Sequence, residues 1–252
     1  MNFVKMEGLG NDFIVVEGPA VVAEADVVRW CERRRGIGAD GVLEVTPLGA
    51  DRVRMRYWNA DGHSAEMCGN GLRCVARLAV LRGWVEGPKL IVETAVGERR
   101  AEVRPDSTVR AQLGVPEEYR LSSLQVAGVE VHPVGLGNPH AVLFVDDPAE
   151  APVGTLGPEI ETDAIFPAGT NVEFAAVRSP DRIELRVWER GVGETLACGT
   201  GAAATAYLAR RQGLTEDRVA VQLPGGEMVV EIANGTAWIE GPANVVFSGT
   251  VD

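Results

Sequence analysis

The sequence predicts an α+β fold made of two duplicated domains related by pseudo-twofold symmetry, each a mainly antiparallel sheet wrapped around a central buried helix. Three observations carry this. Asp51-Arg-Val-Arg-Met-Arg-Tyr-Trp58 recurs as Asp181-Arg-Ile-Glu-Leu-Arg-Val-Trp188, with Asp, two Arg and Trp identical at an offset of 188 − 58 = 130. The same offset carries Cys68-Gly-Asn-Gly onto Cys198-Gly-Thr-Gly and Gly83 onto Gly213. Gly8-Leu-Gly-Asn11 recurs as Gly135-Leu-Gly-Asn138 at an offset of 127, and Gly97-Glu98 as Gly226-Glu227 at 129. Order and spacing both persist, so the chain reads as an internal duplication with small loop changes.

The elements follow from periodicity. Val53, Met55 and Tyr57 alternate with Arg52, Arg54 and Arg56, and Ile183, Leu185 and Val187 alternate with Arg182, Glu184 and Arg186, the period of a strand with one buried face. Further strands are expected over Asn2–Val16, Leu90–Val103, His140–Val145, Val172–Val177, Val219–Leu223, Met228–Ile232 and Ala237–Glu240. Each Cys-Gly-x-Gly opens a helical stretch. Leu72 to Arg82 places Leu72, Val75, Ala76, Ala79 and Val80 on one broad face, and Ala202 to Ala209 is apolar almost all round, as suits a helix buried inside its domain. Gly83 and Gly213 stand where a helix C-terminus favours a left-handed glycine. Ala23–Arg34 reads as a surface helix and Gly114–Val126 as a linker. The expected domains are 1–117, with a C-terminal strand over 243–252 returning to complete it, and 118–242.

Composition narrows the function. The chain has 252 residues, 46% of them apolar, enough for either one large domain or two of modest size, and composition alone does not choose between them. No run of roughly 18 apolar residues occurs and the first residues carry Lys5, Glu7 and Asp12, so no membrane span or signal peptide is expected and a cytoplasmic location is the default. A formal charge of −12 disfavours nucleic acid as a partner, because phosphate contacts need clustered Lys and Arg. The four cysteines, Cys31, Cys68, Cys74 and Cys198, lack CxxC spacing and are too sparse for a disulfide scaffold, so they read as thiols.

Two of those thiols have matching places. The first turn of a helix carries unpaired N–H groups and partial positive charge, which stabilises a thiolate and lowers its pKa. Cys68 and Cys198 both occupy that position, and the glycines that follow let a carboxylate approach the bare amides of residues 69–70 and 199–200. Two such thiols flanking one α-carbon suit inversion: one removes the α-proton and the other returns one to the opposite face. The amides then meet charge as the carbon becomes carbanionic, so they stabilise the transition state more than the substrate. Cys31 and Cys74 have no partner at the 130 offset and read as packing residues, and His63 and His132 as surface or turn residues.

Six motifs in order then resemble the diaminopimelate epimerase family: GLGNDF with Asn11, GIGADG over 36–41, Asn59-Ala-Asp-Gly before Cys68-Gly-Asn-Gly-Leu-Arg73, Gly137-Asn-Pro-His140, Gly169-Thr-Asn171, and the stretch from Trp188-Glu-Arg-Gly through Cys198-Gly-Thr-Gly201. The resemblance implies interconversion of LL- and meso-2,6-diaminopimelate, toward lysine and peptidoglycan, without pyridoxal phosphate or metal. It implies Cys68 and Cys198 as the acid/base pair, with the amides of Gly69, Asn70, Gly199 and Thr200 on the reacting carboxylate and Asn11 at the amino group of the reacting centre. It further implies a clamp for the far amino-acid end from Arg190, Asn59, Asn138 and Asn171, with Glu189 and His140 tuning the thiols. Glu189 also counts among the substrate contacts.

The sequence departs from the family in two places. Gly41 stands where many members have glutamine, and Phe247 where the family often has a tyrosine associated with dimerisation; a homodimer is still expected, since phenylalanine packs in an apolar interface without the hydroxyl bond. The rival readings are a proline or hydroxyproline racemase, which shares the two thiols but not the far-end clamp, a thiol redox or metal-binding protein, and a noncatalytic solute-binding module.

Overall fold

The computed structural model describes residues 1–65, 67–119 and 122–251. The chain divides into two compact units, Met1–Gln112 with Glu240–Asp252, and Leu113–Ile239.

The first unit begins with a hairpin of β1 (Asn2–Gly8) and β2 (Asn11–Glu17). Leu9 and Gly10 at its tip have φ of 57° and 84°, the two left-handed positions a two-residue hairpin demands, so the single strand expected over 2–16 is two. Helix α1 (Glu24–Cys31) then crosses over and β3 (Gly41–Gly49) lies parallel to β2. β4 (Arg52–Asn59) returns antiparallel and carries the short β5 (Ser64–Ala65). Helix α2 (Gly69–Leu81) is the second crossover, leading to β6 (Lys89–Thr94) parallel to β4, and β7 (Gly97–Val103) and β8 (Val109–Gly114) continue as a meander. The C-terminal strand, Asn244–Thr250, pairs antiparallel with β1.

The second unit repeats this plan. β9 (Glu117–Glu118) and β10 (Leu124–Val126) pair with β11 (Val129–Gly135), so the stretch expected to be a linker contributes strands; its residues 120 and 121 lie outside the described residues. β12 (Pro139–Phe144), α3 (Val153–Glu161), β13 (Asn171–Ser179), β14 (Arg182–Glu189), β15 (Gly193–Thr195), α4 (Gly199–Arg211), β16 (Arg218–Leu223), β17 (Gly226–Ala233) and β18 (Thr236–Gly241) follow, and the C-terminal strand is β19. Here too the strands joined through a helix are the parallel pairs, β12 with β13 and β14 with β16, because parallel neighbours cannot be linked by a tight turn. The duplication extends to an irregularity: the β3–β4 ladder shifts register between Pro47 and Gly49, and β13–β14 between Val177 and Ser179, each 130 residues on. The fold is thus two duplicated α+β domains.

Each central helix is stopped in the same way. Gly83 and Gly213 have φ of 65° and 74°, and the N–H groups of residues 83 and 84, or 213 and 214, bond back to the carbonyls of 80 and 79, or 210 and 209. That pattern satisfies the last carbonyls of the helix. Helix α2 buries Leu72, Cys74, Val75, Leu78 and Ala79, and α4 buries Ala202, Ala203, Ala206, Leu208 and Ala209. Truncating a buried leucine such as Leu72 costs about 2–5 kcal/mol, so this packing fixes where each helix, and hence its first turn, must lie.

Candidate active site

Both cysteines cap their helices. Cys68 has extended backbone (φ −139°, ψ 118°) and its Sγ accepts the N–H of Gly71 at 3.4 Å. Cys198 has φ −118° and ψ 110°, and its Sγ accepts from Gly201 N at 3.3 Å. A sulfur thus takes the N-cap place usually held by a serine or aspartate oxygen, leaving the amides of Gly69 and Asn70, and of Gly199 and Thr200, in the first turn.

In the first unit the β1–β2 turn presents Asn11 to this helix start. Its Oδ1 accepts from the Cys68 thiol at 3.6 Å and from Asn70 Nδ2 at 3.2 Å. Its Nδ2 donates to Asp40 Oδ2 at 2.6 Å, which fixes which way the amide faces. Asp40, a residue the motif reading passed over, is held in turn by Arg33 at 2.6 Å. Asn59 closes β4 opposite Gly41. A Cβ at Gly41 would lie 2.4 Å from the Trp58 carbonyl oxygen and 2.6 Å from Tyr57 Cε2, so this backbone admits no side chain there and the Tyr57 ring fills the space.

In the second unit Cys198 Sγ lies 3.5 Å from Thr200 Oγ1, which accepts from Asn138 Nδ2 at 3.4 Å. Asn138 Oδ1 meets His140 Nε2 at 3.0 Å, and His140 Nδ1 meets Glu173 Oε1 at 2.6 Å. His140 and Glu173 are both fully buried. The Glu173 carboxylate sits beneath the helix start: a Cβ on Gly201 would be 2.7 Å from its Oε1. Glu189, at the end of β14, accepts from Thr195 Oγ1 at 2.5 Å. Asn171 joins the far-end residues, since its Oδ1 accepts Arg190 N at 3.0 Å while its Nδ2 donates to Pro139 O at 2.9 Å. Arg190 is exposed, with Nη1 donating to Ala168 O at 3.2 Å and its stem lying over Gly169.

The electrostatics correct one expectation. A helix start alone would lower the Cys198 pKa, yet burial, followed by the nearby Glu189 and Glu173 carboxylates, pushes it well above the ordinary thiol value. The Thr200 hydroxyl and Gly201 N–H pull the other way and are outweighed. At neutral pH Cys198 holds its proton. Burial also pushes Cys31 up to about 11 and Cys74 up to about 12, as suits thiols that serve packing. Among the described residues, no group of three or more His, Cys, Asp and Glu side chains is arranged to hold a metal ion. No helix among them is long and apolar enough to cross a membrane.

Glu173 escaped the sequence reading, although a signal for it exists: it is the one charge in the run Val172-Glu-Phe-Ala-Ala-Val177, whose residues up to Ala176 are all buried. A carboxylate in a strand covered on both faces needs a buried partner, and His140 is that partner.

A family model described as diaminopimelate epimerase matches residues 3–118 and 133–246. The chain is 42% identical to the diaminopimelate epimerase of Heliobacterium modesticaldum, with 99% of each chain covered. It is 44% identical to that of Thioalkalivibrio sulfidiphilus, with all of this chain and 99% of the other covered. Among solved structures, a probable proline racemase from Agrobacterium radiobacter K84 superposes with a TM-score of 0.75 at 17% identity, over 100% of this chain and 92% of the other. A PhzF-family phenazine biosynthesis protein from Bacillus anthracis gives 0.73 at 15%, over 100% and 98%. At these identities the likeness is one of fold.

Proposed function

The chain belongs to the diaminopimelate epimerase family, and from that premise we propose that it inverts the α-carbon of LL-2,6-diaminopimelate to give the meso form, with Cys68 and Cys198 as its two acid/base groups. It is an isomerase acting on a small amino acid. The observation that supports this assignment of roles is the doubled N-cap: two sulfurs, each at the start of a buried helix and each followed by bare amides. One sulfur, as thiolate, takes the α-proton; the other, as thiol, gives its proton to the opposite face of the carbanionic carbon. The amides of Gly69, Asn70, Gly199 and Thr200 receive the charge that builds on the carboxylate.

The remaining roles extend the same reading. Asn11 takes the amino group of the reacting centre, and Arg190 with Asn59, Asn138 and Asn171 holds the distal zwitterion. His140 and Glu189 set the protonation of the thiols, Glu189 by the negative charge it places near Cys198. The protein works in the cytoplasm as a homodimer through β19, whose Val245, Val246 and Phe247 are exposed apolar residues on an outer strand. Sedimentation of wild type against Phe247→Asp tests the dimer, and an unchanged mass would refute it.

The test of function is proton NMR of LL-diaminopimelate in D₂O with the protein and a reductant. Loss of the α-proton signal with appearance of meso product is expected. Full activity in Cys68→Ala, or conversion of proline but not diaminopimelate, would overturn the reading; Arg190 is the residue that separates those two substrates.

A further inference from the structure

Resting on the two-thiol reading above, we propose that Asp40 is a positioning residue for the epimerisation: its carboxylate takes the NH2 end of Asn11, so that the Asn11 carbonyl oxygen faces the Cys68 helix start and receives the ammonium group at the reacting carbon.

An asparagine amide has a donor at one end and an acceptor at the other in nearly the same shape, so its remaining neighbours decide which end a ligand meets. A carboxylate only accepts, and Asp40 uses both of its oxygens. Oδ1 accepts from Arg33 Nη2 at 2.6 Å, and Oδ2 accepts from Asn11 Nδ2 at 2.6 Å and from Asp12 N at 3.1 Å. The backbone of Asp40 is tied as well, its N–H donating to Asp12 O at 2.9 Å and its carbonyl accepting from Ala60 N at 3.1 Å. Arg33 is forked onto Asp12 at 3.1 and 2.8 Å, and Asp12 meets the buried Lys5 ammonium at 2.6 Å. The carboxylate is therefore held in place from three sides. Asn11 must turn its NH2 to it and its oxygen to the helix start, where Oδ1 accepts from the Cys68 thiol and from Asn70 Nδ2. An ammonium carries N–H donors and no acceptor, so that oxygen suits it and an NH2 in the same place would repel it.

The second half turns the matching amide over. Asn138 answers to Asn11 and Thr200 to Asn70 in the duplication. There Nδ2 of Asn138 donates to Thr200 Oγ1 at 3.4 Å, while its Oδ1 meets His140 Nε2 at 3.0 Å. Position 170, which the β2–β3 and β12–β13 ladders match to Asp40, is a buried threonine whose hydroxyl donates to Asn171 O at 3.0 Å. The half with the carboxylate thus offers an oxygen at its helix start, and the half without it offers an NH2. The acceptor for the amino group belongs to the first half alone.

The test is steady-state kinetics on LL-diaminopimelate, with thermal unfolding alongside, for wild type, Asp40→Ala, Asp40→Asn and the exchange Asn11→Asp/Asp40→Asn. Asp40→Ala leaves the amide free to turn over, and Asp40→Asn keeps its oxygen for the charged Arg33 and turns an NH2 toward Asn11. Each is expected to raise KM by about tenfold or more, the worth of a hydrogen bond to a charged group. The exchange keeps the contact between positions 11 and 40 and again points an oxygen at the helix start. Its KM should return to within about threefold of wild type, while kcat stays low because a carboxylate beside Cys68 opposes its ionisation. A residue that only braced the turn would not have its KM restored by a second substitution at position 11. A folded Asp40→Ala or Asp40→Asn protein with wild-type KM overturns the proposal, as does an exchange no better than Asp40→Asn; loss of fold in one single variant leaves the other to decide. Failure of wild type to exchange the α-proton of diaminopimelate refutes the functional reading and this role with it, whereas an active wild type with unmoved variants refutes the role of Asp40 alone.

Discussion

Replacing Glu173 with leucine while His140 stays in place tests how the second unit is held under the Cys198 thiol. Both side chains are fully buried and their contact is 2.6 Å. Removing one partner of such a pair costs about 3–5 kcal/mol, because the survivor is left without compensation. At about 2–4 °C per kcal/mol for a chain of this size, the Tm is expected to fall by roughly 6–20 °C. The duplication supplies the control. In the first unit β2 pairs with β3 so that Phe13 faces Gly41, and in the second β12 pairs with β13 so that His140 faces Asn171. Phe13 and Leu43 therefore hold the places of His140 and Glu173. The double variant His140→Phe/Glu173→Leu copies that apolar solution and should regain most of the loss, short by about 1 kcal/mol for the hydrogen bond Asn138 loses. Thermal and urea unfolding of the four proteins, followed by fluorescence, give the cycle. A Glu173→Leu protein within about 1 kcal/mol of wild type, or a double variant less stable than both single ones, would refute the argument. Activity should be lost in both proteins that lack the Glu173 carboxylate, and with that repelling charge gone the pH midpoint of iodoacetamide labelling at Cys198 should move down.

Three further outcomes are expected. Gly201→Ala drives a methyl to 2.7 Å from Glu173 Oε1 and 3.3 Å from Cys198 Sγ, so it should cost about 1–3 kcal/mol by overpacking and lower kcat, whereas Gly71→Ala meets Leu43 methyls at 3.2 and 3.3 Å and Cys68 Cβ at 3.4 Å and should do less, as denaturation and turnover measurements will show. Gly83→Ala and Gly213→Ala find open space but must adopt φ of 65° and 74°, so each should lose about 1–2 kcal/mol in urea titrations with turnover unchanged. Stability should fall with alkali: the buried Cys74 thiol keeps its proton up to about 12 when folded but ionises near 9.0 when unfolded, so its contribution, full below 9.0, is lost between there and 12 and amounts to on the order of 4 kcal/mol. In Cys74→Ala the unfolding free energy should vary less with pH over that range; an unchanged slope would count against the assignment.

Much of this was legible in the sequence because a duplication prints its own alignment. The paired strands β4 and β14, the helices behind each Cys-Gly-x-Gly and the glycine stops all followed from residues at a fixed offset. What escaped had lost its local signature to tertiary packing. β3 alternates poorly because Val42, Leu43, Glu44 and Val45 are buried on both faces, and Pro47 falls at the ladder's irregularity, where a proline is tolerated. Helix α3 contains Gly154, Gly157 and Pro158, each a helix breaker by propensity. Gly157 is there because the Trp188 ring packs where its side chain would go, with Cγ 2.7 Å from a Cβ built on it. For the site, pattern located the thiols and the amides but not the polar groups beneath them, since a buried hydrogen-bonded pair spans residues 33 positions apart and no period announces it.

Duplication by itself makes two identical thiols, and identical thiols are poor partners for inversion. On the proposed reading one of them must be ionised and the other protonated in the same resting enzyme, and equal intrinsic pKa values would not assign those tasks. The buried surroundings of the two halves have diverged in the sense that breaks the tie. Beneath Gly71 lies Leu43 and beneath Gly201 lies Glu173; the strand position that is Phe13 in one is His140 in the other; Arg73 in α2 answers to Ala203 in α4. The caps, turns and stops that place each sulfur have been kept, while the side chains beneath them have diverged, and at Cys198 burial and the nearby carboxylates keep the thiol protonated. Giving the second half the first half's apolar surroundings is therefore a direct probe: in His140→Phe with Glu173→Leu the Cys198 labelling midpoint should fall toward that of Cys68, and a folded double variant with an unmoved midpoint would show that burial, not the buried carboxylate, decides the matter.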